Sequence, residues 1–344
     1  MKKLFCILFF LSTLNISAQE NTERKEICIT IDDLPYVATK FTDVESGKKI
    51  TEKILTSLNK FNAFALGSVN AGKLFNGDTL IQDKVDMLKA WLDAGMTLAN
   101  HTYSHSNYNN LTFAEFKQDI INGEKILKDL IESYGQKLIY FRHPYLFRGD
   151  TKEKADSLAS FLNENGYIGA PVSIDNSDYI YSWAYEKALS EKNDSLANRI
   201  AIDYISHMEK ALVHYEGQSK KLFGYNIKQI LLMHANPLNA DYMDELLQMF
   251  VNHGYKFITL AEALKDTAYK TKDGFYKKAG ISWLDRWAYT QGHRGDFYAG
   301  EPVPEDYIME LLNLKTGFSN VYIRMKISIT NCLRSISKNI LIRL

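Results

Sequence analysis

The feature that most limits what this chain can fold into is an alternation that runs along most of its length. Short apolar runs of strand-forming residues (27–31, 63–69, 95–100, 137–141, 167–174, 228–233 and 255–260) are separated by longer stretches with helical spacing (47–60, 80–93, 112–134, 151–165, 196–217 and 240–253). Ile50, Ile54, Leu55 and Leu58 fall on one helical face, and Val85, Leu88, Trp91 and Leu92 on another. Thr112 and Glu115 have capping-box spacing at a helix start, and Gly166 supplies a natural stop. Seven or more such units predict an α/β fold with a mostly parallel sheet. Their number and length suit a closed or nearly closed (β/α) barrel.

The polar residues that end the runs set the chemistry. Asp32 and Asp33 follow the first strand, His101 and His105 the third, Arg142 and His143 the fourth, Asp175 and Asp178 the fifth, and His234 the sixth. In a parallel barrel these positions share the C-terminal rim, where active sites are built. Four of the clusters have a plain explanation alone: a turn at Asp32-Asp33, solvent-facing or core histidines at 101 and 105, a surface turn at Arg142, a core histidine at 234. Five on one rim call for a common one.

Histidines four apart on a helical turn project the same way, so His101 and His105 can reach one ion, and a rim carboxylate completes a set of two His and one acid with an open position for water. This suits a divalent metal, Zn²⁺ above all, with Co²⁺ or Mn²⁺ as alternatives. One aspartate of the pair then binds the ion and the other stays off it to accept a proton. Arg142 can hold that acid ionised through a bidentate pair. The Tyr145 N–H, just after Pro144, is a candidate oxyanion donor. His234 is a candidate general acid, held protonated by Asp178, and Leu232, two residues earlier on the same strand face, is a candidate apolar wall for a small acyl group.

The ordered set resembles the polysaccharide deacetylases of carbohydrate esterase family 4. The segment "TIDD" (30–33) is similar to their Thr-Phe-Asp-Asp-Gly, "HTYSH" (101–105) to His-(Ser/Thr)-x-x-His, "RHPY" (142–145) to their Arg-Pro-aromatic motif, "DNSDY" (175–179) to Asp-x-x-Asp-Trp, and "LMH" (232–234) to Leu-x-His. The resemblance spans roughly residues 25 to 265 and implies a distorted (β/α) barrel, expected here with seven strands and a C-terminal appendage. It further implies Asp32 as general base tethered by Arg142, and Asp33, His101 and His105 as metal ligands. Tyr145 would serve the oxyanion, Leu232 the acetyl pocket, and His234 would be the acid assisted by Asp178. Leu34 stands where the family has Gly, Tyr179 replaces the motif Trp as an aromatic substrate wall, His143 stands where Pro is frequent, and Ala235 where Asp is common.

The implied activity is removal of acetyl groups from N-acetylated sugars. O-deacetylation of a glycan such as xylan, and glycan binding on a decayed catalytic scaffold, are the alternatives. Tyr181, Trp183 and Tyr185 are candidate sugar platforms or packing residues. Lys+Arg and Asp+Glu both number 41, and this zero net charge offers nothing to attract nucleic acid.

The N-terminus, with Lys2 and Lys3 ahead of an apolar stretch from Leu4 to Leu14 and then Ser17-Ala18-Gln19, predicts a signal peptide over 1–19 and export to the periplasm or beyond. No later segment reads as a membrane span. The expected organisation continues with a catalytic barrel over 20–265, an appendage over 266–314 and a basic tail over 315–344. Cys28 is expected to be buried, and its distance in sequence from Cys332 argues little for a disulfide.

Overall fold

A computed structural model describes residues 25–314. The predicted signal peptide, the basic tail and Cys332 lie outside the described residues.

The strands are β1 (Lys25–Leu34), β2 (Ala65–Val69), β3 (Phe75–Asn76), β4 (Thr79–Leu80), β5 (Thr97–Asn100), β6 (Tyr140–Phe141), β7 (Ile168–Gly169), β8 (Gln229–His234) and β9 (Tyr255–Phe257). The helices are α1 (Val44–Lys60), α2 (Gln82–Asp93), α3 (Phe113–Ser133), α4 (Lys152–Glu164), α5 (Asp178–Ser190), α6 (Asp194–Phe223), α7 (Pro237–Asn252), α8 (Leu260–Ala263), α9 (Trp283–Thr290) and α10 (Asp306–Leu311). Seven strands form one parallel sheet in the order β7-β6-β5-β2-β1-β8, with β9 also paired to β1. β3 and β4 make a separate antiparallel hairpin.

The sheet closes. Beyond β7 the chain crosses to β8, where Ser173 N and Ile174 N donate to the Ile230 carbonyl at 2.9 and 3.0 Å and Leu232 N donates to the Ile174 carbonyl at 3.1 Å. The ring therefore runs from β6 through the 168–174 segment to β8, and the fold is the expected distorted (β/α) barrel. The expected strand over 167–174 is interrupted because Pro171 has no N–H to give a ladder. β1 and β8 are buried on both faces, as near-continuous apolar strands of a parallel sheet must be.

The Thr112–Glu115 capping box forms at the start of α3, with Glu115 accepting from Thr112 N at 2.8 Å. Gly166 ends α4 in the left-handed region at φ 74°. The 101–105 segment departs from expectation: it is a loop, not a helical turn. Thr102 and His105 have φ of 66° and 52°, and side chains replace the missing backbone ladder. Thr102 N donates to Asn100 Oδ1 at 2.9 Å and His105 N to Thr102 Oγ1 at 3.0 Å.

Residues 266–314 lie against the barrel and α6. Trp283 N donates to the Val172 carbonyl at 2.6 Å, and Tyr215 and Tyr307 hydroxyls donate to Glu301 at 2.9 Å and to Asp203 at 2.6 Å. Among the described residues no helix is long and apolar enough to cross a membrane.

Candidate metal and catalytic site

All five polar clusters meet in one cleft at the C-terminal ends of the strands. It is lined by Asp32, Asp33, His101, His105, His143 and His234, with Tyr145, Asp175, Tyr179 and Leu232 among the other walls.

Two adjacent strand residues normally point to opposite faces, so Asp32 and Asp33 should not share a site. A bulge resolves this. Between the pairings Ile31↔Gly67 and Leu34↔Val69, three steps on β1 match two on β2, and Asp33 takes φ 69° inside the offset. Bulges re-aim side chains in this way. Asp32 stays in register with His234 on the neighbouring strand β8.

Asp33, His101 and His105 each offer one ligand atom, all within 4.8 Å of one another. Asp33 Oδ1 lies 3.8 Å from His101 Nε2 and 3.5 Å from His105 Nε2. Those separations are too long for good hydrogen bonds. They match two atoms sharing a tetrahedral ion at usual ligand distances, about 3.4 Å apart. Asp33 Oδ1 is buried with no hydrogen-bond partner, a cost that a cation would remove.

Both imidazoles favour the neutral form, the form that can bind an ion. His101 Nδ1 sits 2.8 Å from the Arg142 carbonyl, which can only accept, so the proton belongs on Nδ1 and the Nε2 lone pair faces Asp33. Burial lowers the pKa of both rings against the pull of the nearby carboxylates, and brings His105 down to about 3. Burial acts to raise Asp33, but Lys73 and then the histidines outweigh it and hold its carboxyl well below the usual range.

Asp32 is buried beside this triad, its Oδ2 3.9 Å from His101 Nε2. Arg142 is fully buried and approaches Asp32 Oδ1 through Nε alone, at 3.4 Å, so the predicted bidentate pair does not form. Its NH2 donates to Thr30 Oγ1 at 2.5 Å instead, and Thr30 in turn donates to the Leu231 carbonyl at 2.7 Å. The guanidinium is thus anchored to the barrel floor and presents one nitrogen to the acid.

Across the cleft, His234 Nδ1 lies 2.8 Å from Asp178 Oδ1. Asp178 is buried, and its Oδ2 accepts from His234 N at 2.9 Å, Asn239 Nδ2 at 2.7 Å and Asn236 Nδ2 at 3.2 Å. Burial disfavours the imidazolium, but the Asp178 carboxylate and its hydrogen bond, with Asp33 and Asp32 beyond, outweigh burial and raise His234 to about 9. At neutral pH His234 is therefore charged, and Nε2 is its remaining N–H.

Leu232 and Tyr179 line the cleft, the Tyr179 ring 6.1 Å from His234 and 5.3 Å from Trp183. Of the candidate platforms only Trp183 reaches the cleft; Tyr181 and Tyr185 are buried in the core. The reason is that 178–190 folds as helix α5, and a helix places residues two positions apart about 200° from one another around its axis, so Trp183 points away from Tyr181 and Tyr185. Tyr145 has φ 57°, and its ring packs 4.4 Å from His105. Gly280 crosses behind it so closely that a Cβ there would lie 1.8 Å from the Tyr145 carbonyl oxygen.

Several participants gave no readable signal. Lys73, in an unremarked "NAGKLF", donates to the Asp33 carbonyl at 3.0 Å. Glu186 of α5 accepts from Thr39 N and Lys40 N at 2.6 and 2.8 Å, pinning the loop after β1. Asn236 and Asn239 were detectable in principle, since Asn236-Pro237 is a helix-start pattern.

A family model for polysaccharide deacetylases matches residues 19–161. Over those residues, which include Asp32, Asp33, His101, His105 and Arg142, the chain is similar to polysaccharide deacetylases. It is 25% identical over 237 residues to a peptidoglycan-N-acetylglucosamine deacetylase of Bacillus cereus, covering 69% of this chain and 67% of that one. Among solved structures it is similar to the peptidoglycan deacetylase PdaC of Bacillus subtilis (20% identity, 71% and 93% of the two chains, TM-score 0.45). It is also similar to BA3943, a family 4 pseudoenzyme of Bacillus anthracis (16% identity, 70% and 66%, TM-score 0.45).

Proposed function

We propose that this chain is an exported, metal-dependent hydrolase that removes the acetyl group from N-acetylated amino sugars in oligo- or polysaccharides. The observation that carries this reading is the convergence of Asp33, His101 and His105 within 4.8 Å, with Asp32 beside them and the His234–Asp178 pair across the cleft.

Asp33, His101 and His105 would hold a divalent ion, Zn²⁺ first, with Co²⁺ or Mn²⁺ as alternatives. Such an ion supplies Lewis acidity, polarising an acyl oxygen and making water a stronger acid. The chain's own residues do the rest. Asp32 accepts the proton of the attacking water, with Arg142 Nε beside it at 3.4 Å. The Tyr145 N–H stabilises negative charge on the acyl oxygen. Leu232 walls the methyl group, and Tyr179 with Trp183 bounds the sugar. His234 donates its Nε2 proton to the departing amine, and Asp178, fixed by two asparagine amides, keeps that ring charged and aimed.

The strongly held imidazolium favours an amide over an ester. An amine leaves only when protonated, whereas the alkoxide of an O-acetyl ester needs less help. The intact set of acid, base and ligands argues against a decayed binding scaffold. In the same reading, residues 1–19 are a signal peptide, 20–265 the catalytic barrel, 266–314 an appendage on it and 315–344 a basic tail.

Acetate release from N-acetylglucosamine oligomers and from acetylated xylan, with Zn²⁺, Co²⁺ or Mn²⁺ added, tests the proposal. Release from the amino-sugar oligomers is expected. Release from xylan alone would support the esterase reading, and glycan binding without release would support the binding scaffold.

A further inference from the structure

Lys73 is a charged group in contact with the metal-ligand set that the chemistry above does not use. Its Nζ lies 3.8 Å from Asp33 Oδ2 and donates to the backbone carbonyls of Asp33 at 3.0 Å and Tyr36 at 3.4 Å. It approaches Asp33 on the opposite oxygen from the one facing the two imidazoles.

The charge arrangement gives this contact meaning. Arg142 faces Asp32, His234 is joined to Asp178, and Lys73 faces Asp33. Each carboxylate of the proposed machinery therefore has a cation of the chain's own, before any ion arrives. A carboxylate drawn out of water with no counter-charge is costly, and losing one partner of such a pair costs stability according to its burial; the Lys73 and Asp33 side chains are 32% and 15% exposed. A divalent ion seated on Asp33 Oδ1 would make the lysine charge redundant, and would be repelled by it at short range.

We propose that Lys73 is a built-in counter-ion for Asp33: it keeps the ligand set formed in the metal-free protein and, in doing so, weakens metal binding. The inference rests on the metal reading above. It makes a prediction that a merely structural lysine would not. Removing the charge destabilises the metal-free protein more than the metal-loaded one, so by linkage the metal binds more tightly.

The experiment is thermal unfolding of the full chain in chelator and in excess Zn²⁺, with Zn²⁺ affinity measured by competition with a chromophoric chelator. Wild type is compared with Lys73→Gln, which keeps a donor for the two carbonyls but loses the charge, and with Lys73→Arg, which keeps the charge. Lys73→Gln should lower Tm in chelator, enlarge the Zn²⁺-induced rise in Tm, and tighten Zn²⁺ binding by roughly fivefold or more. Lys73→Arg should remain near wild type. Equal losses of Tm with and without Zn²⁺, or weaker Zn²⁺ binding by Lys73→Gln, would overturn the role of Lys73 and leave the metal site standing. No Zn²⁺-induced shift in the wild type would overturn the metal reading and this inference together. A Lys73→Gln protein too unstable for unfolding curves is still decided by Lys73→Met and the affinity measurement.

Discussion

The rim of the barrel and the wall of the cleft are built on different terms. Apart from Asp178, which opens helix α5, the rim residues of the proposed chemistry follow or end strands, and sheet register sets several of their neighbours: Asp32 opposite His234, Arg142 hydrogen-bonded through its N–H to the Asn100 carbonyl. The wall is assembled by helix α5 and by Gly280, which reach the cleft only through tertiary packing. Backbone order fixes the rim, so its residues act together and are intolerant of change. In the proposed reading the wall would contact substrate over several side chains, each of which should matter less.

The largest expected effect sharpens that contrast. Asp32→Asn keeps the shape of the rim and removes the proton acceptor, and should lower turnover by about 10² to 10⁴-fold with metal content unchanged. A loss below tenfold would remove Asp32 from the role of base. His234 comes next, through pH. In the proposed mechanism its protonated form is the donor, and its pKa is raised to about 9. Activity should therefore hold through neutral pH and fall as pH rises through that value, as the donor proton is lost. His105, with a pKa near 3, stays neutral and able to bind an ion across the same range. A pH profile of kcat/KM for wild type and His234→Asn checks this: the variant should be slow and should lack the alkaline fall. A variant that kept the same fall would assign it to another group.

The wall should give the smallest effect. Trp183→Ala should raise KM several-fold with little change in kcat, because it lines the cleft and has no part in the proposed proton transfers. Tyr181→Ala, a fully buried neighbour on the same helix, should instead lower Tm by several degrees through loss of packing, and leave KM near wild type in the folded fraction. Reversal of the two results would mean that α5 presents its other face to substrate.

The same contrast governs what the sequence made legible. The rim could be read because strand ends are marked by a change from apolar to polar residues, and because a parallel barrel brings all such ends to one side. The Asp33–His101–His105 set was readable as residue types at given strand ends. The means of bringing it together was not. His101 and His105 are joined by a loop with left-handed residues rather than by a helical turn, and the β1 bulge that brings Asp33 beside Asp32 has no marker in "TIDDLP". Helix α5 is not legible in the sequence because it is buried on several sides, with apolar and aromatic residues around most of its circumference, and so lacks a single apolar stripe. Tyr181 and Tyr185, equally aromatic on paper, then sort into the core while Trp183 and Tyr179 reach the cleft. Lys73 was illegible for another reason: a lysine in a loop is ordinary, and only the approach of the β2 loop to Asp33 makes it significant.

The central claim is that one ion is gripped by Asp33, His101 and His105. Equilibrium dialysis against Zn²⁺, read by elemental analysis, tests it most directly in wild type, His101→Ala and Asp32→Asn. The account predicts about one tightly held ion per chain in wild type and in Asp32→Asn, and loss of at least tenfold in affinity for His101→Ala. Unchanged Zn²⁺ binding by His101→Ala would contradict it.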